Sequence, residues 1–448
     1  MSSDACATQD MAISAASDAR DASQAEPAAS ALSVLYLHPI GAFGGASRSL
    51  LELLRAFPPG SVRPCIVAQQ GQSTSLLREA GYPVIAIEGM TQFDCTRYGH
   101  YRKWRWLILL RELWYLLPTV WGVLKARRAW PQVDLIHANE ITAIVPALVA
   151  KALLRKPLVV HVRSVQQTDA IPRRRRWLLS QLRRHADAVV AIDATVRASL
   201  PADLHVEIVH NAFSPAAVTE IPEPVRAVAE RLHAGSLRVG LVGNLLALKG
   251  VYEFLVAAKL CAESKANVDF IIVGSGPRPI AGLRGALLRW FGFARDVEGD
   301  LDRYLVEHGL QDRVHRIPFT PHISAVYRTL DVLCFPSHLD AVGRPVLEAA
   351  WFGVPSVVAV DRPSPDTLID GETGVRVPAR DPHALATTFA RMATHREEFK
   401  KMGAAARRLA ERNFDARQNA ARMLSVYRRV LGARFSPPEG RSRDDAGT

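Results

Sequence analysis

Short runs of apolar residues alternate with longer stretches of helical periodicity along most of the chain. Residues 33–38 (SVLYLH) read as a strand buried on both faces. A glycine-rich loop follows, then the amphipathic run SRSLLELLRAF, which Pro58, Pro59 and Gly60 stop. Further strand-like runs lie at 64–68, 83–87, 135–138, 157–162, 188–192 and 207–210, with helical stretches between them. Such alternation predicts an α/β domain built on a doubly wound parallel sheet. A polar, proline-containing stretch over 214–235 carries one short helical piece, and then the pattern restarts. Strands are predicted at 237–242, 268–273, 314–317, 331–335 and 355–360, helices at 251–263 and 345–352, and helical structure from 382 to 431. The reading is two Rossmann-like domains, 31–214 and 236–415, facing a central cleft. A C-terminal helix at 416–432 is expected to pack back toward the N-terminal domain. The segments 1–30 and 436–448 read as disordered tails.

Length and composition agree with that reading. The chain has 448 residues, 48% of them apolar and 22% charged, which suits globular domains and excludes a disordered or fibrous chain. Its net charge of +12 suggests an anionic partner, nucleic acid or membrane, until the charge is located. Residues 97–130 hold eight Lys/Arg against the single acid Glu112, and residues 151–185 hold ten against Asp169. The basicity is therefore local to the N-terminal half. The first 30 residues carry five acids and only Arg20 as a base, which does not fit a secretory signal. Five scattered cysteines with no CxxC pair argue against a disulfide framework and a structural zinc site, and suit a reducing, cytoplasmic setting.

The stretch 104–124, WRWLILLRELWYLLPTVWGVL, is long enough to span a bilayer. Arg111 and Glu112 sit in its middle, however, and Pro118 interrupts it. Five of the eight tryptophans lie in 97–130 beside Arg and Lys, a composition suited to a membrane interface. A buried helix pair with solvated basic ends accounts for the same residues. The run Arg173, Arg174, Arg175, Arg176, Trp177 is a second candidate for contact with lipid headgroups or an anionic glycan. No known nucleic-acid motif accompanies these spans, so membrane is favoured over nucleic acid.

Three segments carry candidate chemistry. Gly41 to Arg48 (GAFGGASR) follows a strand and opens a helix, where glycines let backbone N–H groups approach an anion. Gly243-Asn244-Leu245-Leu246-Ala247-Leu248-Lys249-Gly250 also follows a strand and places a lysine just before a helix. Taken alone, each is equally an ordinary turn with a surface side chain. The segment from Phe335 to Ala349 (FPSHLDAVGRPVLEA) is stronger. Pro345 suits a first helical turn, Gly353 and Pro355 end the helix, and Asp340 and Glu348 flank its N-terminus. Glu348 could equally complement the helix dipole.

Together these residues resemble the retaining glycosyltransferases of family 4, with the GT-B fold. The resemblance runs from about residue 32 to about 431. It rests on Gly44-Gly45, the Gly-x-Leu-x₃-Lys-Gly segment from Gly243 to Gly250, and the Val273–Pro277 turn. It rests also on Asp340-x₇-Glu348 between Pro336-Ser337 and Gly353-Val354-Pro355, and on Asp370-Gly371-Glu372-Thr373-Gly374. The resemblance implies that Glu348 binds the nucleotide ribose and that Lys249 neutralises the departing diphosphate. Gly44, Gly45 and the amides of Val342, Gly343 and Arg344 would cradle phosphates and sugar. Asp340 would hold donor-sugar hydroxyls, and His161 would sit beside the donor sugar, although a satisfied core histidine at a strand end is the competing reading. Gly243 and Asn244 complete the nucleotide-sugar contacts.

Three positions depart from the family pattern. Asp340 replaces the usual, longer glutamate. Asn244 stands where many members carry an arginine, a lost charge that Arg344 or Arg48 could supply. Pro318 replaces a glycine near the expected base pocket. The implied function is retaining transfer of a hexosyl unit from a UDP- or GDP-linked sugar to a glycan or lipid-linked acceptor. It would serve cell-surface polysaccharide or glycolipid assembly, on the inner face of the cell membrane. No Asp-x-Asp motif sits in a suitable loop, so no cofactor and no essential metal are expected. The competing expectations are a sugar-nucleotide epimerase or hydrolase on the same fold, and a non-catalytic membrane-surface module.

Overall fold

The structure is a computed structural model that describes residues 31–97, 108–167, 172–215, 220–276 and 296–432. Both expected tails, residues 98–107 of the basic Trp-rich span and Pro277 of the glycine turn lie outside the described residues. The N-terminal sheet contains β1 (Leu32–His38), β2 (Val62–Gln69), β3 (Val84–Ile87), β4 (Leu135–Ala138), β5 (Leu158–Val162), β6 (Ala188–Ala191) and β7 (Glu207–Ile208). The C-terminal sheet contains β8 (Leu237–Val242), β9 (Val268–Val273), β10 (Val314–Ile317), β11 (Val332–Phe335), β12 (Ser356–Val358) and β13 (Gly374–Arg376). Every pairing in both sheets is parallel, for example Leu35 opposite Cys65 and Val239 opposite Phe270. The strand orders are β3-β2-β1-β4-β5-β6-β7 and β10-β9-β8-β11-β12-β13. This is the two-domain, Rossmann-like GT-B architecture.

The helices are α1 (Gly45–Ala56), α2 (Gln72–Glu79), α3 (Ile108–Ala129), α4 (Ile144–Leu154), α5 (Pro172–His185), α6 (Ala194–Ala198) and α7 (Glu223–Ala229). In the second half they are α8 (Val251–Glu263), α9 (Val297–Glu307), α10 (Ile323–Thr329), α11 (Arg344–Trp351), α12 (Pro382–Thr394), α13 (Arg396–Asn413) and α14 (Ala416–Gly432).

Continuous apolar runs follow from burial on both faces. Leu35, Leu37, Val67, Ile136 and Val160 point into one layer of the N-terminal domain, and Val34, Tyr36, Ile66, Leu135 and Val159 into the other. The second sheet alternates in the same way, with Val239, Leu241, Phe270 and Ile272 on one side and Ile271, Val273, Leu333 and Phe335 on the other. In each sheet the strand order reverses beside the first strand, between β1 and β4 and between β8 and β11. The loops that leave β1 and β8 therefore open at the crevices where ligands of such sheets bind.

Three details differ from the sequence-based expectation. The region 382–431 is three helices, with His395 closing α12 and Phe414 closing α13. The Asp370–Gly374 turn forms, with Gly371 at φ +78° and its N–H donated to the Gly374 carbonyl at 2.8 Å. It then feeds an unexpected edge strand, β13, parallel to β12. Finally, α3 packs beside α4 through one face only, with Val123 and Ala126 in the same core as Ile144 and Ala147, and its other face is exposed rather than buried. The last helix, α14, lies on the N-terminal sheet. Its Ala420, Met423, Leu424 and Tyr427 join Val34, Tyr36, Leu50 and Leu54 in one core. There the Tyr427 hydroxyl lies 3.1 Å from the Tyr36 hydroxyl and 2.8 Å from His137 Nδ1.

Candidate functional site

Two adjoining cavities lie between the domains. The first, about 270 Å³, is lined by Gly44, Gly45 and Arg48 from the N-terminal domain and by Gly243, Asn244, Lys249, Gly343, Arg344 and Glu348 from the C-terminal domain. The second, about 430 Å³, is lined by Glu140, Arg163, Asp193, Asn211 and Val342, among others. Gly45, Gly343 and Arg344 belong to both.

The glycines here answer to different needs. Gly44 caps α1 with ordinary extended angles (φ −134°, ψ −165°), and a Cβ at Gly44 or Gly45 would meet nothing within 4 Å. Neither conformation nor packing demands glycine at those two positions; they leave open space at a helix N-terminus. Gly250 differs. Its φ is +78°, and a Cβ there would fall 2.0 Å from the Pro336 carbonyl oxygen. That close approach fixes the turn carrying Lys249. Gly343 caps α11, and a Cβ there would press within 2.8 Å of the Phe335 ring. Two helix N-termini, those of α1 and α11, thus face the same first cavity. The first N–H groups of a helix have no partner within it, which makes such an end a natural anion site.

Lys249 places its ammonium 5.5 Å above the Phe335 ring, and burial lowers its pKa below the usual lysine value. Glu348, only 2% exposed, is the centre of a cluster. Arg344 Nε donates to its Oε1 at 2.6 Å, Arg48 Nη1 lies 3.2 Å from the same oxygen, and the Tyr327 hydroxyl donates to Oε2 at 3.0 Å. Glu52 joins from α1, 2.7 Å from Arg344 Nη2 and 3.0 Å from Arg48 Nε. Both guanidiniums lie near the Phe213 ring, at 5.8 and 5.9 Å from its centroid. Burial lowers the proton affinity of Arg48, but Glu348 and Glu52 outweigh it and the net shift is upward. Asn244 itself is neutral, and Arg48 and Arg344 are balanced by Glu52 and Glu348, so among these groups Lys249 brings the uncompensated positive charge to this wall.

Two of the expected residues lie elsewhere. Asp340 lines neither cavity, although its neighbours Leu339 and Ala341 line the second; its Oδ2 is 2.7 Å from Arg97 Nε of the opposite domain. His161 is 2% exposed and also lines neither cavity. Burial, reinforced by Arg163 and His137, holds its pKa well below the ordinary histidine value, so the ring is neutral. Arg163 covers it, with Nη2 3.2 Å from His161 Nδ1.

Among the residues that reach the second cavity from that sheet are Arg163 and Glu140. Arg163 is locked by the Asn139 carbonyl (2.8 Å) and by the side-chain oxygens of Asn139 (2.9 Å) and Asn211 (2.8 Å). Glu140 accepts from the Ile141 N–H (2.8 Å) and the Ser164 hydroxyl (3.1 Å), and burial raises its pKa. Each follows the carboxyl end of a parallel strand, β5 and β4 respectively. That position was the sequence signal available for both.

Comparison with known proteins places this geometry in context. The model of the glycosyl transferases group 1 matches residues 229–409, and that of glycosyltransferase family 4 matches residues 43–216; together they cover more than three quarters of the chain. A 2-deoxystreptamine glucosyltransferase of Streptomyces kanamyceticus is 25% identical over 275 residues, 56% of this chain and 65% of that protein. A D-inositol 3-phosphate glycosyltransferase of Saccharomonospora viridis is 33% identical over 134 residues, 30% of this chain and 28% of that protein. The chain therefore spans between about a quarter and two thirds of the length of these relatives. In fold, Anabaena Alr3699/HepE in complex with UDP and glucose superposes with a TM-score of 0.66 at 19% identity, covering 88% of this chain and 98% of that one. Sucrose-phosphate synthase from Thermosynechococcus elongatus gives 0.65 at 18% identity, covering 90% and 100%.

Proposed function

The chain belongs to the glycosyltransferases of group 1 and family 4, and from that premise we propose that it moves a hexosyl unit from a nucleotide-diphosphate sugar to a glycan or lipid-linked acceptor, with retention at the anomeric carbon. One observation carries the reading: Lys249, Arg48, Arg344 and two helix N-termini converge on a single interdomain cavity. The main barrier to such transfer is negative charge developing on the leaving diphosphate and positive charge on the anomeric carbon. Preorganised N–H dipoles and fixed cations answer the first. The departing phosphate, held on the same face as the incoming hydroxyl, answers the second and yields retention.

In this reading the diphosphate lies between Gly44-Gly45, Lys249 and the N-terminus of α11, and Glu348 receives the ribose hydroxyls. Phe319, Thr320 and Ile323, on the same cavity, bound the base. Arg48 and Arg344 are already paired with Glu52 and Glu348, so with Asn244 neutral it is Lys249 and the two helix N-termini that carry the leaving-group charge, without a divalent metal. The acceptor enters the second cavity, where Glu140 is placed to accept a hydrogen bond from its hydroxyl. Asp340 and His161 then act on the donor sugar only indirectly, as positioning residues. We place the reaction in cell-surface polysaccharide or glycolipid assembly, on the cytoplasmic side of the membrane.

A panel of UDP-, GDP- and ADP-sugars tests the donor by thermal shift, since a matched donor stabilises the state that binds it. The UDP and UDP-glucose held by the Anabaena neighbour make uridine donors the first to try. Product analysis then separates transfer from the epimerase or hydrolase alternative. A new glycoside formed only with acceptor supports transfer, whereas an isomerised or hydrolysed sugar without acceptor refutes it.

A further inference from the structure

Helix α3 is inside out. Its face toward the sheet buries Glu112, Thr119, Gly122, Val123 and Ala126, while Leu110, Leu113, Trp114, Leu117 and Trp121 stand 54–69% exposed. Small inner residues let the helix lie close: a Cβ on Gly122 would come within 2.8 Å of Ile87. The exposed positions recur at i, i+3, i+4, i+7 and i+11, and with Leu124 they form one apolar stripe about 21 Å long. Contiguous Leu and Trp of this extent on a soluble surface mark an interaction site.

The surroundings of the stripe are cationic. Arg111 is half exposed beside it, and Lys125, Arg127 and Arg128 are exposed at its C-terminal end, with Lys125 Nζ 4.9 Å over the Trp121 ring. Helix α5 packs on the same face of the sheet as α3, its Leu178 and Leu182 in one core with Val123 and Ala126. Its half-exposed Trp177 packs 4.5 Å from Phe93, and Arg173 is exposed one turn earlier. The residue before Phe93, Gln92, donates its N–H to Glu112 of α3 at 2.6 Å. One loop, 88–97, therefore ties α3 to α5. Its other end reaches the interdomain space, where Thr96 lines the second cavity and Arg97 pairs with Asp340.

We infer that the α3–α5 face docks on an anionic lipid bilayer and sets the second cavity beside it, so that the acceptor is carried on a lipid. Apolar side chains without polar groups among them, tryptophans and flanking cations are the composition of an interfacial helix. Among the described residues no helix is long and apolar enough to cross a membrane, so the face lies on the bilayer rather than in it. The docking stands independently; the lipid-borne acceptor rests on the transferase reading above.

Vesicle flotation of the full chain tests this, comparing phosphatidylcholine vesicles containing 30% phosphatidylglycerol with phosphatidylcholine alone. The wild-type chain should float with the anionic vesicles and lose most of that association in 0.5 M NaCl. The double variant Trp114→Glu/Leu117→Glu should float at least tenfold less, with an unchanged melting temperature and unchanged nucleotide-sugar binding. Equal flotation of variant and wild type overturns the inference, as does a wild-type chain that stays unbound. A wild-type dimer that the same substitutions split, without vesicle binding, would assign the stripe to a second copy instead. Loss of nucleotide-sugar binding in the wild type would refute the transferase reading while leaving the docking result intact.

Discussion

Arg48 and Glu348 meet across the interdomain cleft, with Nη1 3.2 Å from Oε1. One belongs to the first helix of the N-terminal domain and the other to α11, whose N-terminus lines the first cavity. The carboxylate assigned to the ribose is thus held by a cation of the opposite domain, and a bound donor must share it. Arg48→Ala should weaken donor binding about tenfold, the scale of one charged hydrogen bond of ~1.5 kcal/mol. Arg48→Lys should recover only part of this, because ammonium lacks the planar fork. Isothermal titration with the matched nucleotide sugar measures both, and unchanged affinity in Arg48→Ala would remove Arg48 from the site.

Gly45 and Gly250 should respond in opposite ways to alanine. Around Gly45 a Cβ meets nothing, so Gly45→Ala should leave the melting temperature unchanged while lowering donor affinity, because the methyl occupies the space assigned to phosphate. At Gly250 a positive φ and the Pro336 carbonyl resist any side chain, so Gly250→Ala should cost about 2 kcal/mol or more of stability. Paired denaturation and binding measurements check the contrast. A destabilised Gly45→Ala with intact binding would contradict the phosphate assignment.

Lys249 gives the proposed donor site a pH signature. Burial lowers its pKa, so it loses its proton at lower pH than an ordinary lysine. A diphosphate prefers the charged form. Donor affinity should therefore fall with rising pH, beginning below the usual lysine range. Lys249→Arg should abolish that alkaline limb, since guanidinium stays charged. Because the charged form is penalised by burial in the free protein, Lys249→Met should raise the melting temperature without donor and eliminate the donor-induced rise.

The strands were legible because burial on both faces leaves uninterrupted apolar runs, and residues 135–138, 237–242, 268–273 and 314–317 form with the expected bounds. The turn at Gly250 was legible because its positive φ and the nearby Pro336 carbonyl demand glycine, whereas Gly44, Gly45 and Glu348 were singled out through the family resemblance. The Arg48–Glu348 contact was not, because nothing in one sequence links positions 300 apart. The outward face of α3 was hidden for a different reason: apolar residues occur on both of its sides, so periodicity could not tell which side packs. Arg163 and Glu140 had only their place after a strand end to recommend them. His161, two positions before Arg163, carried the family likeness but lies beneath that residue.

Asp193, which also lines the second cavity, predicts a stability effect readable without substrate. Its carboxylate caps α6, accepting from the Val196 N–H at 2.7 Å, yet burial, with a further contribution from the nearby Asp366, pushes its pKa up to about 6. A carboxyl raised above its unfolded value binds more protons when folded, so its contribution to stability is present at low pH and is lost as pH rises through about 6. Asp193→Asn keeps the cap without the charge. It should stabilise the protein by about 1–3 kcal/mol at pH 7.5 and flatten the pH dependence between about 4 and 6. Urea denaturation across that range measures it, and a destabilised Asp193→Asn at pH 7.5 would refute the assignment.

The most direct test of the central claim is release of nucleoside diphosphate from the matched nucleotide sugar in the presence of a membrane lipid extract as acceptor source. Wild type, Lys249→Ala and Glu348→Ala are compared after confirming that each is folded. The account predicts acceptor-dependent release by the wild type and at least a hundredfold slower turnover in both variants, about 3 kcal/mol of lost transition-state stabilisation. Near-wild-type turnover in both would contradict it.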